Sequence, residues 1–251
     1  MVLSDADLTR FARHIVLKEI GGAGQLKLRA ATVAVIGAGG IGSPALQYLV
    51  AAGIGQITII DDDAVDLSNL QRQTIFGIED IGAPKAERAA DALARIDPDV
   101  AVARKVVRLD PANVQDLLLG ADVVLDGTDN FAARLVTADA AFALRIPLVS
   151  AAVTQFEGQL GVYRGWEQNR PCYRCFVGAS PERDGVSCAE GGVLGAMAGV
   201  MGSLAALEVI RAIVPFGEDS AGKLLLADAL SLRFRTLVLP KDPGCPSCSS
   251  R

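Results

Sequence analysis

The chain has 251 residues, 51% of them apolar and 21% charged, with a net charge of −5. That length suffices for one large α/β domain or two small ones with a proper core, and the composition excludes a disordered chain. No basic run occurs anywhere, which argues against nucleic acid as the main partner, because phosphate neutralisation needs clustered Lys and Arg.

The opening "MVLSDADLTR" is polar and acidic, so no signal peptide is expected. From Ser4 to about Lys18 the pattern predicts an amphipathic helix, with Ser4 as N-cap and Leu8, Phe11 and Ile15 on one face. "GGAGQ", beginning at Gly21, is expected to break it. The chain then alternates: a strand "TVAVI" from Thr32, a glycine turn, a helix from about Ser43 to Ala52, and a strand "QITIID" ending at Asp61. After a polar connection, a helix runs from about Pro84 to Arg95, with Pro in the first turn where a missing N–H costs nothing. Strand "VAVARKVV", a short helix after Asp110, strand "DVVLD", a helix from about Phe131 to Ala143 and strand "PLVSAAV" complete the alternation. Such alternation predicts a doubly wound, mostly parallel Rossmann-like sheet.

After Val153 the texture changes. "QFEGQLGVYR" and "KLLLADALSLRFRTLVL" lack helices between their strands and read as antiparallel additions to the sheet. Gly178 to Glu190 reads as a long polar loop. The stretch from Gly191 to Val214 is apolar, but its uncharged part ends at Glu208 after 17 residues, the short edge of a membrane span. Gly191, Gly195 and Gly199 recur as in small-residue helix packing, and a buried helix of a soluble, cytoplasmic protein is the expectation. We expect a single domain over 1–251: a helical arm over 1–30, a nucleotide-binding core over 31–153 and an antiparallel extension over 154–251.

Gly37, Gly39 and Gly42, with Gly40 added, match G-x-G-x-x-G between a strand and a helix. Such a turn lets the backbone approach phosphate, while the helix N-terminus offers N–H donors. Asp61, 24 residues after Gly37, stands where ribose hydroxyls are bound. The motif alone leaves the nucleotide open. "SNLQRQ" places Asn69 and Arg72 just past a strand end, where doubly wound sheets bind ligands, and Lys85 follows. "LDGTDN" then sets Asp126 and Asp129 at another strand end. A carboxylate beside Arg and Lys suits a Mg-nucleotide. The plainer alternatives are a solvated Lys85 and Asp129 as the N-cap of the next helix.

Cys172-x-x-Cys175 and Cys245-x-x-Cys248, with 69 residues between the pairs, supply four thiolates for a tetrahedral structural zinc site; a redox dithiol is the alternative. Cys188 stands alone in the long loop, either a passive small residue or a nucleophile. His14 is the only histidine and is expected to be structural.

Taken together, "RFARHIVL", "VAVIGAGGIGSPALQYLVAAGIG", "DLSNLQRQTIF", "PKAERA", "LDGTDN", "PCYRC", "GVMGSLAALEVIR" and "DPGCPSC" resemble one family along nearly the whole chain. It is the MoeB/ThiF/HesA family of ubiquitin-activating-enzyme-like proteins, the activators of ubiquitin-like sulfur carriers, and the molybdopterin-synthase adenylyltransferases are the most similar type. The resemblance implies a reaction: Mg-ATP and the C-terminal Gly-Gly tail of a small β-grasp carrier react to an acyl-adenylate and pyrophosphate. It implies that Gly40 and Asp61 hold the nucleotide, that Asn69, Arg72 and Lys85 hold its phosphates, with Ser68, Leu70 and Gln71 of the same segment, and that Asp129 holds Mg²⁺ with Asn130 beside it. Arg13 matches an arginine that relatives insert into the partner subunit's site, which implies a homodimer. Some relatives carry a covalent link to the carrier near Cys188, so that role stays open, as does the carrier's pathway: molybdopterin, thiamine, cysteine or tRNA thiolation. The chain ends at Arg251, soon after the second cysteine pair, so the sulfur is expected from a separate sulfurtransferase or cysteine desulfurase. Two rival functions are a nicotinamide- or flavin-binding oxidoreductase and a catalytically silent carrier scaffold.

Overall fold

The computed structural model describes residues 2–178 and 191–249. Eight strands form one sheet: β1 (Thr32–Ile36), β2 (Gln56–Ile60), β3 (Ala101–Lys105), β4 (Val123–Asp126), β5 (Leu148–Thr154), β6 (Glu157–Tyr163), β7 (Lys223–Asp228) and β8 (Arg233–Val238). Their order is β3-β2-β1-β4-β5-β6-β7-β8. The first five are parallel, and β6, β7 and β8 add antiparallel strands at one edge. The fold is thus the α/β, mostly parallel sheet with an antiparallel extension that the alternation predicts.

Why β1 reads as an unbroken apolar run follows from its position. Val33 and Val35 enter one core and Ala34 and Ile36 the other, so both faces are covered. On one face lie α3 (Gly21–Ala30), α4 (Gly42–Ala51), α5 (Lys85–Ile96) and, crossing toward β5 and β6, α9 (Gly195–Ile213). On the other lie α6 (Val114–Leu118), α7 (Phe131–Leu144) and α8 (Tyr173–Val177). Leu46, Leu49, Leu93 and Met201 are fully buried in the first core. Each such side chain contributes roughly 1.5–3 kcal/mol by leaving water.

The amino-terminal arm differs from the pattern read in the sequence. It forms two short helices, α1 (Asp5–Arg10) and α2 (Ala12–Ile15), and Ser4 caps the first in a capping box with Asp7. Of the predicted apolar face only Phe11 is buried; Leu8 is 47% exposed. "GGAGQ" does not break the chain but opens α3. Packing overrides glycine's poor helix propensity there, because Gln25 and Leu28 are fully buried.

In α9, Met197, Met201, Ala205 and Val209 face the sheet. By length and composition this helix is apolar enough to cross a membrane, yet it lies on the sheet, and Glu208 pairs with Arg211 at 3.2 Å within it. Its close approaches fall at Gly195 and Gly202, where a Cβ would strike the Gln71 and Ile41 carbonyls, and not at Gly199, which faces open space.

Candidate active site

The parallel register brings Ile36 opposite both Ile60 and Asp126, so the carboxyl ends of β2, β1 and β4 lie side by side. The connections leave in opposite directions from β1, which makes the crevice between β1 and β4 the switch point where such sheets bind ligands. A cleft of about 710 Å³ opens there.

Its floor is the glycine turn. Gly37 has φ +85°, and a Cβ at Gly42 would collide with the Gly37 carbonyl, so neither position accepts a larger residue without moving the turn. The Ala38 N–H donates to Asp61 Oδ2 at 2.7 Å and the Asp63 N–H to Oδ1 at 2.9 Å, which fixes the Asp61 carboxyl beside the turn. Burial pushes that carboxyl above its usual range, against those two donors.

Lys85 and Arg72 are two of the cations that line the cleft. Lys85 opens α5, and its backbone N–H donates to the Asp63 carbonyl at 2.9 Å. It is not the solvated residue of the plainer alternative: its side chain is 7% exposed and its ammonium lies 2.7 Å from the Asp63 carboxylate. Arg72 follows a 3₁₀ turn, Leu67–Asn69, that Asp66 and Asn69 cap reciprocally. Its Nη1 donates to the Ser68 carbonyl at 2.9 Å.

Asp129 and Asn130 form the opposite rim. Asn130, not Asp129, caps α7, accepting from the Ala132 and Ala133 N–H groups. Asp129 is therefore left exposed, a carboxylate in the cleft that Arg72 and Lys85 also line. Beneath it Asp126, 1% exposed, accepts from the Thr128 N–H and hydroxyl and from the Ser150 hydroxyl. Arg134 donates to the Thr128 and Ala151 carbonyls and stands 4.0 Å from Asp126, tying the rim to β5.

Gly40, Asp61, Arg72, Lys85, Asp129 and Asn130 thus share one cleft. Ser68, Asn69, Leu70 and Gln71 do not line it, although Ser68 and Asn69 shape the turn that supports Arg72. Arg13 does not line it either; it is exposed on α2. Cys188 lies outside the described residues. Gln73 and Arg134 are among the cleft residues that the sequence does not single out. Gln73 sits inside the informative "SNLQRQ" segment; Arg134 is hidden in an alanine-rich helix and carries no such signal.

The cleft suits a magnesium nucleotide. Gln73 is 4% exposed and its Oε1 has no partner among the described residues, so a ligand hydroxyl or amino group there would satisfy it. The exposed Asp129 carboxylate in one cleft with Arg72 and Lys85 matches the way Mg²⁺ shares its coordination with phosphate oxygens.

The four cysteines form a second site. Their sulfurs lie within 4.8 Å of one another, with separations of 3.8 Å for Cys172–Cys175, 3.5 Å for Cys172–Cys245 and 3.4 Å for Cys175–Cys248. A tetrahedral ion with Zn–S bonds of about 2.3 Å requires sulfur–sulfur edges near ~3.8 Å, so the set fits zinc. Burial pushes the Cys172 thiol up, and Cys248 to about 11, so holding these two as thiolates needs a compensating cation.

The ThiF family profile matches residues 11–247. The SAMP-activating enzyme E1 of Haloferax volcanii is 41% identical over 247 residues, covering 98% of this chain and 90% of the relative. The molybdopterin-synthase adenylyltransferase of Escherichia coli K12 is 41% identical over 246 residues, covering 98% of each. Among solved structures, E. coli MccB crystallised with MccA-N7isoASN superposes with a TM-score of 0.84 at 23% identity, covering 95% of this chain and 74% of that one, a likeness of fold.

Proposed function

The chain belongs to the ThiF family, and on that footing we propose that it is an ATP-dependent adenylyltransferase acting on the C-terminal Gly-Gly carboxylate of a small β-grasp sulfur-carrier protein, of the molybdopterin-synthase small-subunit type. The observation that carries this function is the meeting of Arg72, Lys85 and Asp129 on the walls of one cleft above a glycine turn. An oxidoreductase would leave those three charges without a role.

In the reaction the tail carboxylate attacks the α-phosphorus of ATP, the bond to the bridging oxygen breaks, and pyrophosphate leaves with the electron pair. An anion must approach an anion, so charge offset is the main requirement. Asp61 accepts from the ribose hydroxyls, and the backbone at Gly40 admits the phosphates closely. Lys85, already aimed by Asp63, and Arg72 offset phosphate charge from fixed positions, which avoids reorganisation during the step. Asp129 would hold the Mg²⁺ that accompanies ATP, and when bound that ion neutralises charge on the phosphates. The attacking carboxylate is ionised at neutral pH, so no general base is needed.

Arg13 is assigned to the cleft of a second copy of the chain in a homodimer; its exposure and its absence from its own cleft support that. The four cysteines would hold a structural Zn²⁺, with no open position for catalysis. Sulfur would come from a separate sulfurtransferase or cysteine desulfurase, in the cytoplasm.

ATP–pyrophosphate exchange tests the function, measured with and without the β-grasp protein of the same organism that ends in Gly-Gly. Exchange should depend on that protein and fall roughly 10²–10³-fold in Asp129→Ala. Carrier-independent exchange, or full exchange in the variant, would remove the assignment.

A further inference from the structure

Helices as short as α1 and α2, of six and four residues, do not hold themselves in water, so the arm that carries Arg13 takes its position from what it touches. Its side chains at positions 7, 10, 11 and 14 touch the body, the spacing of one helical face. Asp7 Oδ1 accepts from Arg29 Nε at 3.1 Å and from Nη2 at 2.8 Å. Arg10 donates to the Ile96 carbonyl. Phe11 is 2% exposed and lies under the Arg29 guanidinium, 4.8 Å from ring centroid to Cζ. His14 Nδ1 stands 3.1 Å from Gln25 Oε1, and the Gln25 amide donates to the Ala52 carbonyl at 2.9 Å.

Arg29 is the common member of these contacts. Its third nitrogen, Nη1, donates to Asp97 at 2.8 Å, and Asp97 is 1% exposed at the end of α5. One guanidinium therefore joins the arm's carboxylate, the arm's aromatic ring and a buried carboxylate of the body. The seat for Phe11 is made by Gly53, φ +91°, where a Cβ would stand 2.7 Å from the Phe11 ring. Arg13, between the anchored Phe11 and His14, is turned outward and exposed. Arg29 itself does not line the cleft of its own chain.

We propose that Arg29 is a positioning residue for the reaction of the neighbouring protomer: by clamping Asp7 and Phe11 against Asp97 it sets the direction in which the arm presents Arg13. This rests on the assignment of Arg13 to a second copy's cleft. A guanidinium is the group for this task, because a planar fork can bridge two carboxylates and stack on a ring at once, and a lysine cannot. Displacing a catalytic charge by about 1 Å costs as much as ~10²-fold in rate, so loosening the clamp should appear as lost turnover rather than lost ATP affinity.

Mixed dimers test it, with carrier-dependent ATP–pyrophosphate exchange as the readout. In a heterodimer of Asp129→Ala with Arg29→Ala, the one intact cleft receives the arm of the Asp129→Ala chain. About half the wild-type activity should return. In a heterodimer of wild type with the double variant Asp129→Ala/Arg29→Ala, the one intact cleft receives the loosened arm, and exchange should fall by about 10²-fold at unchanged KM for ATP. If the first pairing is dead and the second active, Arg29 serves its own chain and the proposal is wrong. The same pairings with Arg13→Ala separate the two assignments. Arg13→Ala acting across the dimer while Arg29→Ala acts within its own chain overturns only the clamp; both acting within their own chain, or full activity in a monomer, overturns the shared site as well. Arg29→Lys, which keeps the charge without the fork, gives the same pattern more weakly and decides the matter should Arg29→Ala fail to fold.

Discussion

The sulfurs of Cys172 and Cys245 lie 3.5 Å apart although the two residues are 73 positions apart in the chain. The chain from α8 through β8 is enclosed by that junction, so a metal there acts as a cross-link. Purified protein should carry one zinc per chain, and Cys245→Ala should carry close to none, as elemental analysis would report. The variant should lose about 2–5 kcal/mol of stability, as when a cross-link of a long loop is removed, and proteases should reach the tail beyond β8. Metal-free wild type with unchanged stability would rule out the zinc staple.

Lys85 and Asp63 separate activity from stability. The lysine is buried but its carboxylate partner is 67% exposed, so removing the lysine leaves a solvated charge and no buried orphan. Lys85→Met should therefore unfold within about 1 kcal/mol of wild type, yet lose roughly 10²–10³-fold in exchange rate. Parallel denaturation and exchange measurements check this; a large loss of stability would make Lys85 a structural residue.

The Asp126–Arg134 pair should behave in the opposite way. Both side chains are buried, and Arg134→Met would strand Asp126 beneath the rim that carries Asp129. Breaking such a pair costs about 3–5 kcal/mol, which urea denaturation would show, with exchange reduced as well. Wild-type stability in Arg134→Met would mean that the hydroxyl and amide donors around Asp126 suffice.

Part of this was legible in the sequence. The glycine turn, the mostly parallel sheet and the cysteine cluster depend on strand–helix alternation, local turn geometry or residue types with few uses, and each leaves a pattern. Arg134 does not, because its hydrogen bonds to Thr128 and Ala151 go to backbone carbonyls, which any residue supplies. The plainer alternative for Asp129, as the cap of α7, falls one residue early, since Asp and Asn cap equally well and only the backbone angles choose Asn130. The arm was read as an ordinary apolar face because its real anchor, Arg29 with Asp97, joins residues 68 positions apart.

Acid should release the arm in a defined window. The Arg29 guanidinium, with help from Ser4, lowers the Asp7 carboxyl to about 2, against ~3.9 in an unfolded chain. A depressed native value stabilises the charged form, so the contribution is complete above pH ~4 and is lost as pH falls through ~2. The stability difference between wild type and Asp7→Asn should be constant at neutral pH, shrink below pH ~4 and vanish below pH ~2, where both side chains are uncharged. A difference that persists into stronger acid would assign Asp7 a role other than its charge.

The carrier's intact mass after a single turnover with Mg-ATP tests the central claim most directly. Wild type should convert the Gly-Gly protein to its AMP adduct, with one pyrophosphate released per adduct, and Asp129→Ala should leave the carrier unmodified. A carrier that stays unmodified with wild-type enzyme, while NAD and not Mg-ATP raises the thermal stability of the protein, would contradict adenylation and return the glycine turn to an oxidoreductase.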